Sequence, residues 1–187
     1  MKRVFDVVVS FIAIIALSPL FLFLMVVNTI AMKGKPIFIQ QRVGRNGVLF
    51  NIYKFRSLRP QAPSNISTSS MVGMTQYKTH FGSFLRKTSL DELPQLFNVL
   101  KGDMSLVGPR PLMPNEKVLN FYRHYYHADR ARPGLTGLAQ INGRDKLTHS
   151  ERLYWDEYYV NHRSFWLDIK IIYKTFGVVL FQRNNNG

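Results

Sequence analysis

Asp91 and Glu92 are the residues whose position in the chain most suggests chemistry. They are the first carboxylates after 84 residues without one, and Arg86 and Lys87 stand just before them. Neighbouring residues of a helix point about 100° apart, so these two carboxylates would not face each other as a proton-sharing or glycosidase pair requires. One carboxylate as nucleophile or metal ligand, with the other beside it, fits better. A capping box over Ser89-Leu-Asp-Glu92 is the alternative without chemistry, and the motif alone favours it.

Several arginines and lysines lie in short motifs suited to phosphate. Arg110 stands between two prolines in Gly108-Pro-Arg-Pro111, which restricts its backbone, and arginine binds phosphate through paired N–H donors. A rigid loop with a solvated arginine is the alternative for this motif. Lys54 and Arg56 are two residues apart and share one face if their segment is a strand. A glycine-bearing loop, Gly137 to Arg144, ends in another arginine and is a weak signal by itself.

The residue types available exclude several kinds of site. The chain has no cysteine, which excludes disulfides, thiolate zinc sites and cysteine nucleophiles, and its five histidines are scattered without metal-ligand spacing. A carboxylate nucleophile with Mg²⁺ and arginine or lysine is what phosphoryl-group chemistry needs, because the cations offset the phosphate charge. The residues therefore indicate anionic ligands.

The charge of the chain is distributed unevenly. Its 187 residues include 25 Lys and Arg against 11 Asp and Glu, for a net charge of +14, and residues 33–90 hold ten of the cations and no carboxylate. An apolar fraction of 46% excludes a disordered polycation. A membrane-anchored nucleic-acid-binding protein and a scaffold on anionic lipid are the alternatives to an enzyme. For a nucleic-acid-binding protein, the sequence lacks a repeated motif of basic and aromatic residues.

An uncharged run of 26 residues, Val7 to Met32, predicts contact with a bilayer. As a helix it would be roughly 39 Å long at about 1.5 Å per residue. Pro19 lies near its middle and leaves the carbonyl of Ile15 without its helical donor, and the Ser18 hydroxyl can bond a carbonyl one turn back. Both flanks are basic, which favours the same side of the membrane for both ends. The pattern predicts a re-entrant membrane helix broken at Ser18-Pro19, with a kinked single span as the alternative.

The remaining sequence predicts a mixed α/β fold that is mostly helical. Two β-branched and aromatic runs, at 36–41 and 48–55, flank a turn at Gly44–Gly47 and predict a short β-hairpin. Further predictions are a long loop over 59–76, helices over Phe81–Leu100, Asn115–Asp129, Thr148–Asn161 and Phe165–Phe181, and a glycine-rich loop over Pro133–Gly143.

The last of these helices is a candidate amphipathic interfacial helix. Phe165, Ile169, Ile172, Phe176 and Val179 share one helical face. Asp168 and Lys174 lie off that face. A core-packing helix is the alternative, and periodicity does not separate the two.

Three runs of residues resemble one known family. Lys54-Phe-Arg-Ser-Leu58, the long run from Gly82 to Pro111 and the run from Pro133 to Arg144 closely resemble the bacterial monotopic phosphoglycosyl transferases. The likeness extends from the Ser18-Pro19 segment to Val160, and Leu58 stands where the family has Met. With nothing before the membrane segment, the chain resembles the small, minimal-domain form of the family.

The resemblance implies transfer of a phosphosugar from a UDP-sugar to polyprenol (undecaprenyl) phosphate, giving polyprenol-diphosphosugar and UMP. It implies that Asp91 is the nucleophile, through a covalent aspartyl-phosphosugar intermediate, and that Asp91 and Glu92 hold Mg²⁺. The residues that would hold phosphates or the nucleotide are Lys54, Arg56, Arg86, Arg110, Gln140 and Arg144.

The resemblance also implies a location and partners. We expect a re-entrant membrane helix over 1–32 and a catalytic domain over 33–187 on the cytoplasmic face of the bacterial inner membrane. The expected partners are UDP-sugar, polyprenol phosphate and membrane lipid, and not nucleic acid. A second copy of the chain or downstream glycosyltransferases are further candidates. The identity of the sugar is not readable from the sequence.

Overall fold

The computed structural model describes residues 1–63, 74–143 and 146–181. This part of the chain is mostly helical and includes a short antiparallel hairpin, as the sequence predicts. Its helices are α1 (Lys2–Ala16), α2 (Ser18–Met32), α3 (His80–Lys87), α4 (Gln95–Lys101), α5 (Lys117–Tyr125), α6 (Leu138–Ile141), α7 (His149–His162) and α8 (Phe165–Phe181). Its strands are β1 (Ile37–Val43), β2 (Leu49–Phe55), β3 (Ser105–Val107) and β4 (Gly134–Thr136).

The uncharged N-terminal run forms two helices that meet at Leu17 with a bend of 64°. Pro19 lies in the first turn of α2, where a missing N–H does least harm. The Ser18 hydroxyl donates to the carbonyl of Ile15 at 2.8 Å, which replaces the donor that Pro19 lacks. The predicted break at Ser18-Pro19 is thus confirmed. Among the described residues no single helix is long and apolar enough to cross a membrane, while α1 and α2 pass that test together.

The predicted hairpin is also confirmed. Strands β1 and β2 pair antiparallel, with Phe38 opposite Lys54 and Arg42 opposite Phe50. Asn46 and Gly47 adopt positive φ angles of 54° and 76° in the connecting turn. Asn and Gly are the residues that adopt such angles most readily, so the local sequence fixes the register of the hairpin.

The helix predicted over 81–100 is wrong as a single element. It ends at Lys87, and Ser89 turns the chain with a left-handed φ of 56°. A 3₁₀ turn over Leu90–Glu92 follows, and α4 begins only after Pro94. Proline excludes a continuous helix because it lacks the N–H donor, and it is tolerated where a new helix starts. Gly102 then ends α4 with φ of 95°, as predicted.

The loop predicted over 133–143 is in fact β4 followed by α6, and β4 pairs in parallel with β3. Gly108 and Gly134 allow this contact, because a Cβ on Gly134 would lie 2.1 Å from the Gly108 nitrogen. The pair joins segments that are distant in sequence, so no local pattern predicts it. It holds the residues after β3 against those after β4.

Of the next two predicted helices, the structure shortens one and confirms the other. The helix predicted over 115–129 is shorter, because α5 ends at Tyr125 and a 3₁₀ turn covers Ala128–Arg130. The helix predicted over 148–161 is present as α7. Thr148 and Glu151 form a capping box at its N-terminus: the Thr148 Oγ1 accepts from the Glu151 nitrogen at 3.2 Å, and the Glu151 carboxylate accepts from the Thr148 nitrogen at 2.8 Å.

Helix α8 has the predicted bounds, but its apolar face is not its buried face. Asp168 and Ile171 are buried, whereas Phe165 and Phe176 are exposed together with Trp166. Tyr159 of α7 explains the burial of Asp168, because its hydroxyl lies 2.7 Å from the Asp168 carboxylate and 3.0 Å from the carbonyl of Val107. The exposed aromatic side is compatible with an interfacial helix.

Helix α1 packs on the body of the protein and is held there by polar contacts. The Asp6 carboxyl accepts from the Ser105 hydroxyl at 2.8 Å and from the Leu106 nitrogen at 3.2 Å. Arg3 donates to the last carbonyls of α4, and Lys2 pairs with Asp168. The N-terminal helix is therefore part of the fold that carries the candidate site.

Candidate active site

The two adjacent carboxylates lie in the 3₁₀ turn Leu90–Glu92, which we call the carboxylate turn. Asp91 is buried, with 8% of its surface exposed, and Glu92 is half-buried. Ser89 has a left-handed backbone and makes no capping hydrogen bond to the described turn, so the alternative of a capping box at 89–92 is wrong. The turn instead presents both acids between α3, β2 and the start of α4.

Lys54 and Glu92 form an ion pair across the site. The Lys54 ammonium lies 2.9 Å from the Glu92 carboxylate, and both side chains are less than a fifth exposed. Lys54 reaches the carboxylate turn because its position on β2 places it on the face of the hairpin that meets this turn. This contact puts Lys54 beside the carboxylate turn, and its predicted role in holding phosphate or the nucleotide stays a prediction.

Arg86 and Arg56 flank the same region. The Arg86 Nε on α3 donates to the Ser57 hydroxyl at 2.8 Å, just beyond the end of β2. Arg56 donates to the carbonyl of Lys35 at 2.8 Å and lies over the ring of Phe38. Phe38 is the cross-strand partner of Lys54, so Lys54 and Arg56 are on the same face, as predicted.

Arg110 lies in the segment Gly108–Pro111, which we call the arginine loop. The buried Arg123 of α5 donates to the Arg110 carbonyl at 2.7 Å and pairs with Asp156 of α7. Burial raises the pKa of the Asp156 carboxyl, and the charge of Arg123 opposes that effect. Arg123 therefore holds the backbone of the arginine loop, a role that the sequence did not suggest.

Arg42 of β1 is a second residue that sequence reasoning missed. Its guanidinium donates to the Pro111 carbonyl at 3.3 Å and to the Gln40 side chain at 2.5 Å. Burial, followed by the charge of Arg110, lowers the pKa of Arg42 to about 10, and Glu92 and Glu116 oppose this change. The signal in the sequence was its spacing, since Arg42 falls on the same alternating face as the partner of Lys54.

Gln140 and Arg144 complete the predicted set. Gln140 is on α6, where its Oε1 is buried and has no hydrogen-bond partner among the described residues. It lies close to Gly137, whose backbone packs against the carbonyl of Gly108, so Gln140 is on the side of the arginine loop. Arg144 lies outside the described residues, as do most of the residues of the loop predicted over 59–76.

The two carboxylates of the carboxylate turn are the kind of ligand that Mg²⁺ prefers. Among the residues that the structure describes, no group of three or more His, Asp or Glu is placed to hold a metal ion. Mg²⁺ is commonly held by one or two carboxylates, with water and substrate phosphates supplying its other ligands. Asp91 and Glu92 therefore fit a magnesium site that substrate completes.

Comparisons with known proteins show which family the chain belongs to. The sequence model of the family described as bacterial sugar transferase matches residues 1–182. The undecaprenyl-phosphate galactose phosphotransferase of Salmonella typhimurium is 41% identical over 96% of this chain and 40% of its own length. The undecaprenyl-phosphate glucose phosphotransferase of Komagataeibacter xylinus is 39% identical over 98% of this chain and 36% of its own length.

A relative of similar length also matches. The exopolysaccharide production protein ExoY of Sinorhizobium fredii is 38% identical over 98% of this chain and 87% of its own length. The chain thus spans about two fifths of the two phosphotransferases and most of this third relative.

Proposed function

Because the chain belongs to the bacterial sugar transferase family, we propose that it transfers a phosphosugar from a UDP-sugar to polyprenol (undecaprenyl) phosphate. The products are polyprenol-diphosphosugar and UMP, and the reaction is the first membrane step of a glycoconjugate pathway. The names of two relatives, which specify phosphotransferases acting on undecaprenyl phosphate, support this reaction. A third relative is named for exopolysaccharide production, which supports the pathway class.

The observation that carries the proposal is the buried Asp91 beside a Glu92 that is paired with Lys54. Asp91 is the nucleophile: its carboxylate oxygen bonds to the β-phosphorus of the UDP-sugar while the bond from that phosphorus to the bridging oxygen breaks. UMP leaves with the electron pair, and the sugar phosphate stays on Asp91. An oxygen of the polyprenol phosphate then attacks the same phosphorus and releases the Asp91 carboxylate.

The surrounding side chains supply charge and orientation. Lys54 keeps Glu92 in place, and Arg110 binds phosphate oxygens from a loop that Arg123 holds. Arg56, Arg86, Gln140 and Arg144 are the further residues assigned to the nucleotide and the phosphates. Asp91 and Glu92 would hold Mg²⁺, which when bound neutralises phosphate charge.

We further propose that α1 and α2 dip into the cytoplasmic face of the inner membrane and return. The exposed side of α2 is apolar, with Leu22, Phe23 and Ile30 largely uncovered, which supports burial in lipid. An apolar cavity of about 420 Å³ lies beside the bend and is lined by Ile14, Phe21, Leu22, Met25, Pro94 and Phe97 among others. Because Pro94 and Phe97 of this lining follow the carboxylate turn directly in sequence, the cavity suits the polyprenyl chain of the acceptor.

The covalent step is tested by measuring UMP release without the lipid acceptor. Protein with a UDP-sugar and Mg²⁺ is expected to release up to one equivalent of UMP, and Asp91→Asn is expected to release none. Asp103→Asn, at the end of α4, is the matched control and should release UMP as the unaltered chain does. A panel of UDP-sugars in the same assay identifies the donor.

Two results would contradict parts of the proposal. UMP that appears only after polyprenol phosphate is added would exclude the aspartyl intermediate while leaving the overall transfer in place. UMP release by Asp91→Asn would exclude Asp91 as the nucleophile.

A further inference from the structure

Arg42 is a cation beside the candidate site that the proposed reaction does not yet use. It lies on β1, and the Val43 nitrogen donates to the carbonyl of Leu112 at 2.8 Å, which joins this strand to the residues after the arginine loop. The Arg42 side chain also contacts the arginine loop, because its Nη1 donates to the Pro111 carbonyl at 3.3 Å. The Arg42 guanidinium thus lies against the backbone of the arginine loop, at the residue that follows Arg110.

Charges of both signs act on Arg42, and burial opposes its own charge. Arg110 lies near enough to act on Arg42 with a charge of the same sign, and Glu92 and Glu116 act with the opposite sign. Both of these carboxylates are also engaged elsewhere, Glu92 with the Lys54 ammonium and Glu116 with the Met113 nitrogen at 2.6 Å. Two guanidinium groups close together in a partly buried position are unfavourable unless an anion lies with them.

The hydrogen bonds of Arg42 also leave some of its N–H donors unused. A guanidinium carries five N–H donors, and the Nε of Arg42 is buried without a hydrogen-bond partner among the residues that the structure describes. Nε and Nη together form the fork that matches the oxygens of a phosphate. Arg42 remains charged at neutral pH, since its lowered pKa of about 10 is still well above 7.

We propose that Arg42 and Arg110 form a two-guanidinium subsite that binds a phosphate group of a substrate beside the carboxylate turn. Arg42 and Lys54 lie on the same face of the hairpin, and Lys54 pairs with Glu92, which puts the subsite on the side of the carboxylate turn. This inference rests on the proposed function for the identity of the substrate. The phosphate belongs either to the UDP-sugar or to the polyprenol phosphate, and both present the same anionic oxygens.

A role for Arg42 in bracing the fold makes a different prediction. If Arg42 only ties β1 to Pro111 and Gln40, its loss lowers the stability of the protein and leaves ligand affinity unchanged. If it also forms the subsite, affinity for a phosphate ligand falls as well, whatever the loss of these two hydrogen bonds does to stability. Affinity and stability measured on the same variant separate the two roles.

The experiment measures binding of two ligands to the full chain in detergent micelles, with Mg²⁺ held constant and no phosphate in the buffer. UDP represents the nucleotide diphosphate, and farnesyl phosphate represents the lipid phosphate. Calorimetry is expected to give an affinity that is about 10- to 100-fold weaker for Arg42→Gln, because hydrogen bonds to charged groups are the stronger class. Arg42→Lys should lose less, and Arg45→Gln, an exposed cation of the adjoining turn, should bind both ligands normally.

The ligand that loses affinity identifies the source of the phosphate. A loss for UDP alone assigns the subsite to the nucleotide sugar, a loss for farnesyl phosphate alone assigns it to the lipid, and a loss for both means that both phosphates use it. Arg42→Gln that binds both ligands within twofold of the unaltered chain would overturn the subsite.

A second measurement uses the unaltered chain, so it does not depend on whether a variant folds. In the unaltered chain, UDP or farnesyl phosphate should protect Arg42, and not Arg45, from modification by phenylglyoxal, as read by peptide mass spectrometry. Protection by neither ligand would overturn the subsite. Neither binding nor protection requires turnover, so the two proposals can fail separately. If the chain releases no UMP but Arg42 affects binding, the proposed function is wrong and the subsite stands. If the chain releases UMP but Arg42 has no effect on binding, the subsite is wrong and the proposed function stands.

Discussion

At the scale of single residues, the ion pair between Lys54 and Glu92 joins the hairpin to the carboxylate turn. Both side chains are mostly buried, at 18% and 17% exposed, so their attraction is screened less than that of a surface pair. Lys54 thereby fixes the carboxylate next to Asp91, and in the proposed reaction it adds a positive charge where phosphate charge develops. The structural effect of the pair and its proposed catalytic effect can be measured separately.

Replacing Lys54 by Met is expected to slow UMP release by about 10- to 100-fold, because a positive charge near the reacting phosphate is lost. The free energy of unfolding should fall by only about 1–3 kcal/mol, from the carboxylate left without its partner. Single-turnover UMP release and urea unfolding measure the two effects. Lys101→Met is the control: the Lys101 side chain, which pairs with Asp103, is 55% exposed, so neither quantity should change strongly. Unchanged UMP release in Lys54→Met would exclude a role for this cation in the reaction.

At the scale of elements, the bend between α1 and α2 determines how the N-terminus can meet a membrane. The bend of 64° is stabilised by the Ser18 hydroxyl on the Ile15 carbonyl, so it needs no support from a neighbouring helix. The polar contacts of Lys2, Arg3 and Asp6 hold α1 to the body of the protein. Lys35, just after α2, also accepts a hydrogen bond from Arg56 of the body.

Cysteines placed at Lys2 and at Lys35 are therefore expected to react with an impermeant maleimide from the same side of the membrane. The maleimide labels only the introduced cysteines, because the chain has no cysteine of its own. Labelling in inside-out vesicles and protection in right-side-out vesicles measure this topology. A cysteine at Arg45, exposed in the hairpin turn, marks the side that carries the body. Labelling of the two positions from opposite sides would establish a full span instead.

At the scale of the whole molecule, α1 is one of the elements that close the core. Asp6 is 2% exposed and accepts hydrogen bonds from Ser105 and Leu106 of β3. Strand β3 leads directly into the arginine loop, so a contact made by the N-terminal helix supports the position of Arg110. The helix that we propose enters the membrane and the candidate site are in this way built on one packed unit.

Asp6→Ala is expected to lower the free energy of unfolding by about 2–4 kcal/mol, because two buried donors on β3 lose their acceptor. Ser10→Ala is the matched control, one turn along the same helix and equally buried. Its hydroxyl has no hydrogen-bond partner in the described part of the chain, so its removal should be neutral or slightly stabilising. Denaturant unfolding in micelles measures both variants. Equal losses would show that the contacts of Asp6 contribute nothing specific.

Much of the fold follows from short stretches of sequence. Pro19 and Ser18 determine the helix break, Asn46 and Gly47 determine the hairpin turn, and Thr148 determines the start of α7. In each case one residue's own covalent geometry or nearest hydrogen bond decides the conformation. Lys54, Asp91 and Glu92 were assigned to the site from the sequence because their types and motifs are local as well.

The tertiary structure decided what depends on residues far apart in the chain. Local pattern gave no sign that β3 pairs with β4, that Arg42 bonds the carbonyl of Pro111, or that α8 buries Asp168 instead of Phe176. Each of these results from a partner more than eight residues away, such as Tyr159 for Asp168. Packing between such partners overrides helical and strand periodicity, because burial and paired hydrogen bonds outweigh the small differences in intrinsic propensity. The sequence by itself therefore determined the turns and the acidic pair, and only the assembled core decided which cations face that pair.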